Sequence, residues 1–191
     1  MLKLVDSDEY EIHSFLSNIK SERNHTISIL DEVMLGIEKM IAMPNEQVLP
    51  NMPASVFKTS GNDLAHQFLE GVQFMHKNKV AHLDLKPDNI LVTRTTGRLR
   101  LLIIDFGVSV QVDTEESWIK GYRGTKGWAA PELRDEKYQP IRADLWSAGQ
   151  VLEYISRRQH AVTNSLFKYK SLAKELLHHN PLERPLLSKL T

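Results

Sequence analysis

The sequence has no cysteine, which excludes disulfides and thiolate zinc sites and points to a reducing compartment. It has no net charge, with 24 Lys and Arg against 24 Asp and Glu, so the basic field that non-specific nucleic-acid binding needs is missing. No apolar run approaches the length of a membrane span, and the opening Met-Leu-Lys-Leu-Val-Asp-Ser-Asp-Glu is broken by charge too soon for a signal peptide. The eight histidines show no His-Glu-x-x-His spacing. These absences predict a cytoplasmic or nuclear protein with no nucleic-acid or membrane partner. What is there is ordinary: 41% hydrophobic and 25% charged residues in a chain of 191 suit a globular domain with a real core.

Ile12, Phe15, Leu16 and Ile19 stand at helical spacing and predict an amphipathic helix over 8–20. The short apolar stretches 26–34 and 38–43, interrupted by Gly36, suit two small strands joined by a turn. Pro44, Pro50 and Pro53 make 44–61 a plausible linker. Leu64, Phe68, Val72 and Met75 then predict a buried helix from Asn62 to about Lys79. Ile90–Thr93 and Leu99–Ile104 flank Thr95-Thr-Gly97 as strand, turn and strand. Two further helices are expected over 144–158 and 165–178, the second stopping before Asn180-Pro181.

His82-Leu-Asp-Leu-Lys-Pro-Asp-Asn89 follows the long helix and precedes a strand, where a loop carrying a base and a metal ligand would need to sit. Asp105-Phe-Gly107, Ala130-Pro-Glu132 and Asp144-Leu-Trp-Ser-Ala-Gly149 come after it. An isolated aspartate in a loop is more often a turn or cap residue, but four segments in this order resemble the signature set of protein kinases. The resemblance implies a mainly α, α+β fold: the kinase C-terminal helical lobe over 45–191, with a remnant of the N-terminal lobe (helix C and two short strands) over 1–44.

It implies ATP and Mg2+ as cofactors and a protein Ser or Thr as acceptor. Asp84 would accept the hydroxyl proton and Lys86 would neutralise the transferring phosphate, its place two residues after the base resembling serine/threonine kinases. Asn89 and Asp105 would hold magnesium, and Leu91 would floor the adenine. Thr125 of Gly124-Thr125 would bond the catalytic Asp and Lys. His82 and Phe106 resemble the apolar spine of kinases, with Phe15 and Ile29 as companions. Glu132 would pair with Arg184, and Asp144 would bond the catalytic-loop backbone. Glu11-Ile…Phe15-Leu with Arg23-Asn-His25 also resembles kinase-like proteins of basidiomycete fungi.

The sequence departs from that pattern in four places. No Gly-x-Gly-x-x-Gly loop and no Val-Ala-x-Lys strand precede Glu11, the best match to the helix C glutamate, so a truncated kinase domain is expected, with weak, magnesium-dependent nucleotide binding. Leu83 replaces the arginine that receives an activation-segment phosphate, so activity is expected without modification of Ser109, Thr114, Ser117 or Tyr122. The interval between the last two helices is too short for the substrate-docking helix G. Apolar surface left at the N-terminal part is expected to be covered by self-association or a partner. The two functional readings are a minimal serine/threonine kinase and a pseudokinase acting as a binding or scaffold module.

Overall fold

Asp6 decides how the chain begins. Leu2–Val5 form strand β1 and Ser7–Asn18 helix α1; Asp6 alone lies between them, extended, its carboxylate accepting the Glu9 amide at 2.8 Å. A carboxylate that satisfies a first-turn N–H and sits at the positive helix end makes the turn from strand to helix abrupt. The computed structural model describes residues 1–36, 38–95, 97–159 and 164–189.

Strands β2 (Asp31–Leu35) and β3 (Glu38–Ala42) complete an antiparallel sheet in the order β1-β3-β2. The sequence predicts two strands here, and the structure has three. β1 escapes a two-residue alternation rule because it is only four residues long and carries a lysine. On one face of this sheet Ile41 is fully buried, while Leu2, Leu4 and Val33 on the other are exposed, the alternation that pleating imposes.

After β4 (Gln47–Val48) and a turn of 3-10 helix, α2 runs from Ala54 to Lys77. It begins eight residues before the expected start. Pro53 stands just outside the first turn, where a missing N–H costs nothing, and Phe57, Gly61, Leu64, Ala65 and Phe68 keep one buried stripe through the stretch that its prolines had marked as linker. The pairs β5 (Val80–Ala81) with β8 (Val110–Gln111), and β6 (Ile90–Thr95) with β7 (Arg98–Ile103), carry the loops between them. Helices α3 (Pro140–Arg158) and α4 (Asn164–Leu176) pack beside α2, and the main core is theirs: Phe57, Phe68, Met75, Leu145, Val151 and Leu152 are essentially inaccessible. The result is an α+β fold. Thr96 of the predicted turn, residue 37 after Gly36, and 160–163, where the missing helix G was inferred, lie outside the described residues.

Candidate active site

The loop between β5 and β6 is fixed from below by one buried carboxylate. Asp144, on α3 and fully inaccessible, accepts the His82 amide at 2.6 Å and the Leu83 amide at 2.6 Å, and meets His76 Nε2 at 3.1 Å. A buried charge is stable only with such partners. Leu83 is itself buried and held at φ 64°, a left-handed backbone that leucine avoids unless its surroundings impose it.

That bend presents Asp84. Its Oδ2 accepts Lys86 Nζ at 2.7 Å and Asn89 Nδ2 at 3.0 Å, and its carbonyl accepts Asn89 Nδ2 at 2.9 Å. Lys86 Nζ also donates to Thr125 Oγ1 at 2.6 Å. Four of the six candidate residues, Asp84, Lys86, Asn89 and Thr125, thus form one bonded group, with Thr125 reaching Asp84 through the lysine. Asp84 Oδ1 is buried and has no hydrogen-bond partner among the described residues. An unpaired carboxylate oxygen is costly to bury.

Gly124 explains how Thr125 gets so close. Its φ is +88°, and a Cβ there would lie 2.2 Å from the Leu83 carbonyl oxygen. Gly124→Ala should therefore displace the segment, break the Lys86–Thr125 bond and lower the melting temperature by several degrees. Gly97→Ala, at φ +85° with nothing within 4 Å, bears only the backbone strain of about 1–2 kcal/mol. Equal melting shifts and an intact Thr125 position in both variants, by calorimetry and NMR, would refute the contact argument.

Asp105 stands beside this group at φ 71°, and its partner is a residue that sequence reading did not single out. Lys3, on β1, donates to Asp105 Oδ1 at 2.6 Å and to Glu9 Oε1. A lysine strand does precede helix α1, and the glutamate facing it is the buried Glu9, while Glu11 is exposed. The motif was invisible because Leu-Lys-Leu is not Val-Ala-x-Lys and because six positions separate lysine from glutamate. The signal that could have found it is Asp6-x-x-Glu9, a helix-start pattern immediately after alternating residues.

Burial alone would lower Lys3, but its bonds to Asp105 and Glu9 hold it above its ordinary value. Burial would raise Asp105, and Lys3 pulls it below the usual carboxylate range. Glu9 stays raised, because its burial outweighs Lys3.

Phe106 packs between His13 and His82, with ring centroids 5.1 and 5.2 Å apart. Phe15 is 38% exposed and Ile29 lies in a separate cluster. The α1 residue against Phe106 is His13, one turn after Glu9; periodicity counts hydrophobes and passes over a buried histidine. Leu91, on β6, is buried with Val5, Ile41 and Met43, where the first sheet meets the β6–β7 hairpin.

Burial pushes His13 and His25 below 6.5, although the Ile27 and Leu101 carbonyls pull the other way. The unfolded chain then binds more protons as pH falls through 6.5, so these two groups withdraw stability on acidification until their folded pKa values are passed. Glu9, raised, acts in the opposite sense. Urea midpoints should fall from pH 7.5 to 5.5, and His13→Leu should lose less than the native chain; equal losses would remove His13 from the account.

Among the described residues no three His, Asp or Glu side chains converge to hold a metal by themselves. The fit is to a magnesium ion delivered on phosphates, which takes only one or two protein oxygens. Asn89 commits its amide nitrogen to Asp84, leaving its side-chain oxygen able to coordinate such an ion, and the Asp105 side chain is 42% exposed.

A family model described as protein kinase domain matches residues 21–178. Serine/threonine-protein kinase ULK3 of Xenopus laevis is 28% identical over 166 residues, 86% of this chain and 33% of that protein. Calcium-dependent protein kinase 6 of Plasmodium berghei (strain Anka) is 32% identical over 129 residues, 68% of this chain and 8% of its own length. Serine/threonine-protein kinase 17A of Oryctolagus cuniculus is 44% identical over 94 residues, 48% of this chain and 23% of that protein. The chain spans a third or less of each of these relatives.

Proposed function

This chain belongs to the eukaryotic protein kinase family, of the serine/threonine type, and on that premise we propose that it transfers the γ-phosphate of ATP to a serine or threonine hydroxyl of a protein. The observation that carries the proposal is the convergence on Asp84 of Lys86 and Asn89, with Lys86 bound in turn to Thr125.

In this reading residues 1–44 act as the remnant of the upper lobe and 45–191 as the catalytic lobe. The substrate hydroxyl donates its proton to the Asp84 carboxylate as its oxygen bonds the γ-phosphorus, and the bond from that phosphorus to the β-phosphate oxygen breaks, leaving ADP. Lys86, tied to Thr125 and Asp84, places a positive charge where the transferring group becomes most charged. Leu91 lies under the adenine. Magnesium, when bound, neutralises phosphate charge; Asn89 and Asp105 are the residues that would hold it. Lys3, held by Glu9 and Asp105, would add an upper cation to the lower-lobe grip on the phosphates. A purely scaffolding role gives no reason for these groups to converge.

The test is transfer of labelled γ-phosphate from Mg-ATP to a Ser/Thr peptide library. Lys3→Ala removes charge-assisted hydrogen bonds of about 1.5–3 kcal/mol each, so incorporation should fall roughly 10- to 100-fold. No incorporation by the native chain would overturn the catalytic reading in favour of the pseudokinase module.

A further inference from the structure

Asn24 spends the polar atoms of its side chain on its own surroundings. Its Nδ2 donates to Leu16 O and Ile19 O at 2.8 and 2.9 Å, and its Oδ1 accepts the Thr26 amide at 3.1 Å and the Thr26 hydroxyl at 2.6 Å. A buried amide satisfied on both sides fixes the loop that leaves α1. Two cations are placed by it. Lys20 follows Ile19, and Arg100 of β7 donates from Nη2 to the Asn24 carbonyl at 3.1 Å. One anchored nitrogen orients a planar guanidinium and leaves most of its five donors open.

Lys20 and Arg100 line a cavity of about 430 Å³ that shares no residue with the Asp84 group. Serine hydroxyls line it beside them. Ser17 Oγ and Ser21 Oγ already accept backbone amides, those of Ile29 and Arg23, each at 3.2 Å, so what these hydroxyls have left to offer is their hydrogens. This part of the cavity is a set of donors.

The opposite part is an acceptor. In the sheet order β4-β6-β7, Thr93 of β6 faces Arg100 of β7, while Gln47 of β4 faces Val92, which sets Glu46 beside Thr93 on the far side from Arg100. Two strand spacings, about 10 Å, therefore separate the backbones that carry the cation and the carboxylate. Among the described residues of the lining, Glu46 is the one carboxylate.

We propose that this cavity binds a small phosphate monoester bearing hydroxyl groups, with the phosphate on Lys20 and Arg100 and the hydroxyls toward Glu46. Phosphate suits the donor end because its terminal oxygens can accept from guanidinium, ammonium and serine hydroxyls together. The volume falls within the range of small-ligand sites, about 300–1,000 Å³. The inference stands apart from phosphate transfer at Asp84 and does not depend on it.

The test is an amide NMR titration of the full chain with glycerol 3-phosphate. The Ser21, Ser28 and Leu102 amides should shift and saturate. Arg100→Gln and Lys20→Gln, both at exposed positions, should each weaken the fitted affinity about tenfold or more. Inorganic phosphate should bind more weakly than glycerol 3-phosphate, and Glu46→Ala should remove that difference. Shifts that never saturate, or that sodium chloride reproduces at equal ionic strength, would mean charge screening alone and overturn the proposal. Native affinity in both cation variants would overturn it too, as would saturable shifts confined to 82–89 and Thr125. A phosphoserine peptide that binds here more tightly than glycerol 3-phosphate would overturn the small-molecule assignment in favour of a protein partner. Should the ligand-free spectrum show that Arg100→Gln has lost the 20–28 loop, Lys20→Gln decides alone.

Discussion

Asp84→Asn is expected to lower phosphate transfer by about 10²- to 10⁴-fold, the usual contribution of a positioned general base, while changing unfolding free energy by no more than about 1 kcal/mol. The geometry says why an isosteric change is so damaging. Lys86 and Asn89 both donate into Oδ2, so an amide at position 84 turns its oxygen toward them. An amide there cannot take up the proton that the proposed transfer releases. Single-turnover assays on the two proteins, with melting curves beside them, check both halves. Equal rates would remove Asp84 from the reaction.

Glu132→Ala should give the largest loss of stability. Arg184 is completely buried, its Nη1 and Nη2 bonding the two Glu132 oxygens at 2.5 and 2.9 Å, with further bonds to His178 O and Arg142 O. Removing the carboxylate strands the guanidinium in the interior, at about 3–5 kcal/mol. For a chain of this size that is a fall of roughly 10 °C in melting temperature. Replacing both partners, Glu132→Leu with Arg184→Met, should recover much of the loss, because no uncompensated charge remains. A single mutant within about 1 kcal/mol of native would mean that the pair is hydrated and that its burial has been misjudged.

How much of this could be read from the letters differs from residue to residue. The loop 82–89 and the two aspartates at 105 and 144 were legible because they belong to short motifs that stand in the order of the protein kinase signature, and order survives in a sequence. The long helix was legible from Leu64 onward because its stripe is purely apolar; its first two turns were hidden by prolines that favour a helix start as readily as they end one. Lys3 and Glu9 were missed for a different reason. A four-residue strand has too few positions for periodicity to register, and what identifies the lysine is its reach across the fold to Asp105, a contact 102 positions away. His13 was missed because a histidine pairing its ring nitrogen with a carbonyl can be as buried as leucine. Gly124 could be named as part of a motif, but only the approach of the Leu83 carbonyl says what a methyl group would do there.

Asp144 has one more consequence. It holds the catalytic loop by the amides of His82 and Leu83, and amides are common to every residue but proline. The position of Asp84 is therefore written in the main chain, and the side chain at 83 is released from any part in aiming it. A loop so built can exchange a surface-seeking cation for a core-seeking hydrocarbon at that point without altering where Asp84 stands.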